Sequence, residues 1–189
     1  MSRQEFPIAL SHAVLAGTSI YCLSEVKNMD PFCPQITYGI IATNSILGVI
    51  WWLMDYNSKL NDIVRLTAYC QLLFALPCIT TTVWLQNGYA KDWSWAWAVV
   101  PIFPLLMYIL HTDIDMPLAD LIIVFNIVGL GVVSFVKEIN YGIGAVVAYI
   151  VAHGYGRRLD LTRQALYNYV MCVFAYCSLR AIGRGQDLF

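Results

Sequence analysis

The chain has 189 residues, 59 % of them hydrophobic and 12 % charged, with mean hydropathy +0.63 and formal net charge −1. A soluble core of this size cannot bury so much apolar surface, so lipid must be the solvent for most of it. No basic tract offers a nucleic acid anything to bind.

The opening stretch, MSRQEFPIAL, has no compact apolar region ending in a small-residue cleavage site. The first span is therefore expected to remain and act as its own insertion signal. A bilayer core needs about 20 apolar residues as a helix, within roughly 17 to 25. Seven stretches meet this: 6–26, 36–54, 67–86, 95–111, 118–136, 141–157 and 164–182. Trp51 and Trp52 near the end of the second, and Trp93, Trp95 and Trp97 at the start of the fourth, fit interfacial aromatic belts. The fourth is short and carries Pro101 and Pro104, so a six-span chain with this segment in the interface is the structural alternative. The expected fold is an all-α integral membrane protein with seven transmembrane helices in a single domain, 1–189.

Orientation follows from Lys and Arg in short loops. The side holding the N-terminus has Arg3, Lys59, Arg65, Arg157, Arg158 and Arg163; the other has Lys27, Lys91, Lys137, Arg180 and Arg184. This small bias favours a cytosolic N-terminus. Of the six cysteines, Cys22, Cys33, Cys70, Cys78, Cys172 and Cys177, most lie in apolar runs, where cysteine acts as a small hydrophobe. Cys22 and Cys33 flank the same loop and are the pair for which the sequence permits a disulfide. No C-x-x-C zinc spacing occurs.

The second span opens Ile36-Thr37-Tyr38-Gly39-Ile40-Ile41-Ala42 and the sixth Ile139-Asn140-Tyr141-Gly142-Ile143-Gly144-Ala145, with five of seven positions identical. Lys59-Leu60-Asn61 before span three matches Arg158-Leu159-Asp160 before span seven, and Phe74-Ala75 with Cys78 matches Phe174-Ala175 with Cys177. The order pairs spans 1–3 (6–86) with spans 5–7 (118–182) around a linker helix, 95–111. An odd linker gives both halves the same orientation, which predicts a 3+1+3 parallel repeat. In plan the chain resembles the SWEET sugar carriers and the PQ-loop amino-acid carriers. The resemblance is architectural, since Pro34-Gln35 lies before span two and has no counterpart before span six.

Ionisable residues at membrane depth are costly and point to function. His12, Asp120 and His153 lie toward the N-terminal side, with His111 and with Asp55, Asp113 and Asp115, which read as ordinary interfacial carboxylates. Asn44 and Asn126 sit deeper. The repeat makes His12 and Asp120 equivalent, so the two are expected to face one another, as a proton-exchanging pair would. His12, Asp120, His153, Asn44 and Asn126 are thus the candidate substrate or proton site.

Zinc is the competing chemistry, with His12, His111, Asp120 and His153 as the weak metal candidates. A His and carboxylate cluster is similar to that of the alkaline ceramidase type of membrane hydrolase, but the seventh span has no histidine. Ala119-Asp120-Leu121 faintly resembles an aspartate motif of the membrane lysoplasmalogenases. Three functions follow: a small-solute carrier with its site between two three-helix halves, a non-catalytic subunit or chaperone of a membrane complex, and an intramembrane metal-dependent lipid hydrolase. The carrier is preferred because the repeat supplies a mechanism. The bilayer is the required partner. Other membrane subunits, or further copies of the chain, would dock through the helices.

Overall fold

A computed structural model describes residues 5–54, 58–110, 117–156 and 161–183, and every regular element among them is a helix. In chain order these are α1 (Glu5–Val26), α2 (Cys33–Leu53), α3 (Ser58–Gln86), α4 (Lys91–Val99), α5 (Ile102–Ile109), α6 (Pro117–Val136), α7 (Asn140–Gly156) and α8 (Leu161–Gly183). Six stretches are long and apolar enough to cross a membrane: Phe6–Val26, Cys33–Leu53, Ser58–Gln86, Lys91–Ile109, Leu118–Val136 and Gln164–Gly183. The chain is a multi-pass helical membrane protein. The sixth expected span is α7, whose 17 residues span about 26 Å at 1.5 Å each, short for a bilayer core.

Lipid as solvent explains why the helices are apolar on both sides. On α6, Leu121, Val124, Phe125, Val128, Val132 and Phe135 face outward, while Ile123, Leu130 and Val133 are buried. A water-facing helix would carry charge on the first of these faces. The fourth span is broken, as its prolines imply. Pro101 and Pro104 lack the N–H that would close the ladder. Val100 and Pro101 keep helical angles (φ/ψ −55/−40 and −62/−16), so α4 and α5 continue in one direction.

Six helices form a ring. α1 packs on α2, α2 on α3, α3 on α6, α6 on α7, α7 on α8, and α8 closes back on α1. A contact between α3 and α8 crosses the middle, and α4 with α5 packs outside, against α3. Tyr38 of α2 sends its hydroxyl to Ser178 Oγ (3.0 Å) and the Ala175 carbonyl (3.4 Å) of α8. Tyr149 of α7 donates to the Leu72 carbonyl of α3 at 2.9 Å.

The matched heptapeptides do not play matched parts. Tyr38 is fully buried, whereas Tyr141 is 40 % exposed beneath the Arg180 guanidinium, 5.6 Å from its ring. The cause is helix length. α2 begins three residues before Ile36, but α7 begins one after Ile139, leaving Tyr141 in the first turn at the border. The tryptophans at the fourth span also divide. Trp93 is exposed as a belt residue should be, but Trp97 turns inward onto Gly129, 5.3 Å from the Trp84 ring. Trp84 Nε1 donates to the Gly129 carbonyl at 3.1 Å, so this glycine joins α3, α4 and α6.

The α6–α7 contact needs a small residue at position 142, where a Cβ would collide with Ser134 Oγ and Cβ. Gly142→Val therefore overpacks this seam at a cost of about 1–3 kcal/mol. In a detergent melt its midpoint should fall by roughly 3–10 °C. Gly131→Ala, with nothing within 4 Å of the added carbon, should leave the midpoint unchanged or raise it. Equal loss in both variants would contradict this packing.

Candidate functional site

The largest group of buried polar side chains lies toward the N-terminal ends of α1, α3 and α8 and the C-terminal end of α2. It begins with Asn44 on α2, 8 % exposed, whose Nδ2 donates to Gln71 Oε1 of α3 at 2.7 Å. Thr67, one turn earlier on α3, donates to Asn44 Oδ1 at 3.0 Å. Gln71 Nε2 then donates to the Tyr167 hydroxyl of α8 at 3.0 Å. The next residue, Asn168, donates from Nδ2 to Ser11 Oγ of α1 at 2.9 Å, and Ser11 donates in turn to the Ile8 carbonyl. His12, beside Ser11, lies flat against Gly48 of α2, where an added Cβ would sit 2.5 Å from Nδ1. The circuit thus returns to α2.

Helical geometry explains the paired residues. Adjacent positions point about 100° apart, so a helix between two neighbours reaches each with one of two consecutive side chains. Ser11 serves α8 and His12 serves α2; Tyr167 serves α3 and Asn168 serves α1. His12 and Asn168 each lie seven residues into their helices, about 10 Å from those ends, so the circuit occupies one level.

Most of these groups are satisfied, and the exceptions are informative. His12 is 6 % exposed and neither ring nitrogen has a hydrogen-bond partner. Ser45 Oγ, one turn before Gly48 on α2, is fully buried and also unpartnered. A buried polar group normally finds a partner, so two such groups on the α1–α2 seam mark where a further group would bind. No Asp, Glu, Lys or Arg is buried among the described residues.

The expected residues divide. Asn44 belongs to the circuit and His12 lies on it. Asn126 is buried on α6 but donates to its own helix, at the Ile122 carbonyl, and its Oδ1 has no partner. Asp120 does not face His12. It pairs with His153 of α7, Nε2 to Oδ1 at 3.3 Å, with side-chain exposures of 34 % and 19 %. The reason is the ring order, in which α6 sits between α3 and α7 while α1 sits between α2 and α8. Of the four weak metal candidates, His12, Asp120 and His153 are described, and among the described residues no three His, Cys, Asp or Glu side chains come together as a metal site. His111, Asp55, Asp113 and Asp115 lie outside the described residues.

Sequence reasoning missed Gln71, Tyr167, Asn168, Ser11 and Ser45. Gln71 and Asn168 were findable, since an amide inside an apolar run is nearly as conspicuous as a histidine. Beside the circuit, an apolar cavity of about 460 Å³ opens between α2, α3 and α5, lined by residues including Gly39, Thr43, Thr67, Phe74 and Leu105. Thr67 belongs to both. Comparison with protein-family models, with curated proteins and with solved structures finds no match for this chain.

Asn44→Leu removes the donor to Gln71 and the acceptor for Thr67 in one step. Interhelical hydrogen bonds in membranes contribute about 0.6 kcal/mol on average, but orphaned partners raise the cost to about 1–3 kcal/mol. A detergent melt should show a midpoint lower by roughly 3–10 °C. Pairing it with Gln71→Leu should recover part of the loss. Strict additivity of the two would show that the amides do not interact.

Proposed function

We propose that the chain is a small-solute carrier whose site is the polar circuit joining α1, α2 and α3 to α8. The observation that carries this is the pair of fully enclosed, unpartnered polar side chains, His12 and Ser45, at the one level where four helices exchange side-chain hydrogen bonds. A structural brace would satisfy these groups internally. A binding site holds them in reserve.

The chemistry of the lining selects the solute. It is built of amides, hydroxyls and one imidazole, with no buried fixed charge among the described residues. An ion entering this level would need a counter-charge, because desolvation at low dielectric outweighs what neutral dipoles return. The site is matched to an uncharged solute rich in hydrogen-bonding groups. His153 and Asp120 lie at the same end of the bundle but on α6 and α7, so we assign them to the approach rather than to the binding level.

The ring order supports seven crossings arranged as two halves. Exchanging α1, α2 and α3 with α6, α7 and α8 maps α1–α2 onto α6–α7, α2–α3 onto α7–α8, and α1–α8 onto α6–α3. The α3–α8 contact maps onto itself, as a pair on a two-fold axis would. Seven crossings with a cytosolic N-terminus place the loop at 137–139 and the loop at 157–160 on opposite faces. Glycosylation acceptor sites inserted into each should be used at the first and unused at the second. The reverse, or use of both, would overturn this topology.

A second reading, the non-catalytic subunit, draws on the satisfied bonds of Asn44, Gln71 and Asn168. Proteoliposome uptake separates the two. The carrier should take up radiolabelled uncharged polyhydroxyl or amide solutes saturably, in preference to organic anions and cations. His12→Leu and Gly48→Ala, which displaces the same ring, should each cut uptake roughly tenfold, a 1.4 kcal/mol effect. Gly17→Ala, with nothing within 4 Å, should not. Uptake of no solute class, by protein that melts cooperatively, would sink the carrier and leave the subunit.

A further inference from the structure

The end of the bundle opposite the polar circuit holds a second feature, on the seam between α2 and α3. Thr37 Oγ1 donates to the Ala75 carbonyl of α3 at 3.1 Å, fixing the register of these two antiparallel helices and drawing them close. One turn back along α2 from Thr37 is Cys33, and nearly one turn forward along α3 from Ala75 is Cys78. Both are 1 % exposed. In an antiparallel pair those two steps run the same way, so the Thr37–Ala75 bond sets Cys33 and Cys78 at one level of the seam, both enclosed.

The other cysteines are otherwise engaged. Cys22, the one partner for Cys33 that the sequence permits by position, points its thiol to the Ala175 carbonyl of α8 at 3.7 Å. Cys70 lines the apolar cavity, Cys172 meets Thr18 and Cys177 lies against Gly144. All six are free thiols in the structure.

We propose that Cys33 and Cys78 are a disulfide-forming pair, a modification site that ties α2 to α3 at the face opposite the N-terminus. A bridge needs Cα atoms about 4.4–6.8 Å apart and side chains directed at each other. The threonine-to-carbonyl bond one turn away brings the backbones together, and the burial of both side chains at that level turns them into the seam. Cys33 is the first residue of α2, and local opening of that helix end exposes its otherwise buried thiol to an aqueous oxidant. The oxidant is an external disulfide, either glutathione disulfide or the active-site disulfide of an oxidoreductase. The Cys33 thiolate attacks one of its sulfurs, forming a mixed disulfide and releasing one thiol. The Cys78 thiolate then attacks the Cys33 sulfur and releases the second. Two protons leave the cysteines and end on the two released thiols, so the external disulfide is reduced as the Cys33–Cys78 bond forms. Such a bond persists where the opposite face meets an oxidising compartment, the orientation favoured by the Lys and Arg distribution.

The test uses the whole chain expressed in cells. Free thiols are blocked with N-ethylmaleimide in denaturant, the protein is digested without reductant, and peptides are read by mass spectrometry. The expected result is a peptide pair linking Cys33 to Cys78, two hydrogens lighter than the sum and separated by dithiothreitol. The melting midpoint should fall with dithiothreitol in the wild type, and this dependence should vanish in Cys33→Ser and Cys78→Ser. Recovery of both cysteines as maleimide adducts, from cells and again after treating the purified chain with glutathione disulfide, overturns the proposal. So does a bond between Cys33 and Cys22. The linked-peptide readout needs no variant, so it holds even if a serine substitution fails to fold.

Discussion

A polar side chain at membrane depth has no water to turn to, and this constraint organises the bundle. Each amide or hydroxyl in the circuit must find its partner on another helix or on its own backbone. Asn44, Gln71, Tyr167, Asn168 and Ser11 do so in sequence, from α2 to α3 to α8 to α1. Lipid tails are as apolar as the helices' own side chains, so burying apolar surface gives little preference for one neighbour over another. Hydrogen bonds with direction and small residues that admit close approach supply that preference. The circuit therefore does more than hold four helices together. It specifies which four.

The same logic explains how the helices differ in role. α1 and α8 each contribute two consecutive polar residues and sit between two circuit partners. α6 and α7 stand outside the circuit and meet each other through Gly142 against Ser134 and through the Asp120–His153 pair. α4 and α5, interrupted at Pro101, hold no circuit residue and pack against α3 by aromatic contact, Trp97 with Trp84 and Tyr108 stacked on Tyr69 at 4.5 Å. A segment fixed by ring contacts alone tolerates the broken ladder.

What the sequence made legible follows from how local each property is. Hydropathy is a property of one segment, so the helices stand close to where the apolar runs placed them, although α3 reaches back to Ser58 and α2 to Cys33. The depths of His12 and Asn44 were legible for the same reason. Partnership is not local. That His12 rests on Gly48 while Asp120 meets His153 depends on ring order, which no single run encodes. The heptapeptide match shows the hazard. Identical residues at 38 and 141 fall in different turns because their helices begin at different places. The disulfide the sequence permits between Cys22 and Cys33 is not the arrangement found, since flanking a loop says nothing about which face of α1 carries Cys22.

The kinds of bond also differ between the two ends of the bundle. Toward the N-terminal face the interhelical bonds mostly join side chain to side chain, with Tyr149 to the Leu72 carbonyl beside them; unpartnered buried atoms occur toward both faces, on His12 and Ser45 here and on Gln35, Trp97 and Ser134 at the other. Toward the other face they mostly join side chain to backbone: Thr37 to Ala75, Tyr38 and Cys22 to Ala175, Trp84 to Gly129. An amide or hydroxyl released by a neighbouring side chain turns about its own torsions and takes a new partner, and the helix need not move. A bond to a backbone carbonyl has one end fixed to a helix, so only its donor side chain can turn away. On the carrier reading, adaptation to a solute falls to the end where both partners of a bond can turn, the end of Asn44 and Gln71. On that reading a bond between Cys33 and Cys78 would leave the first end free to rearrange, so the proposed site and the proposed tie are compatible on α2.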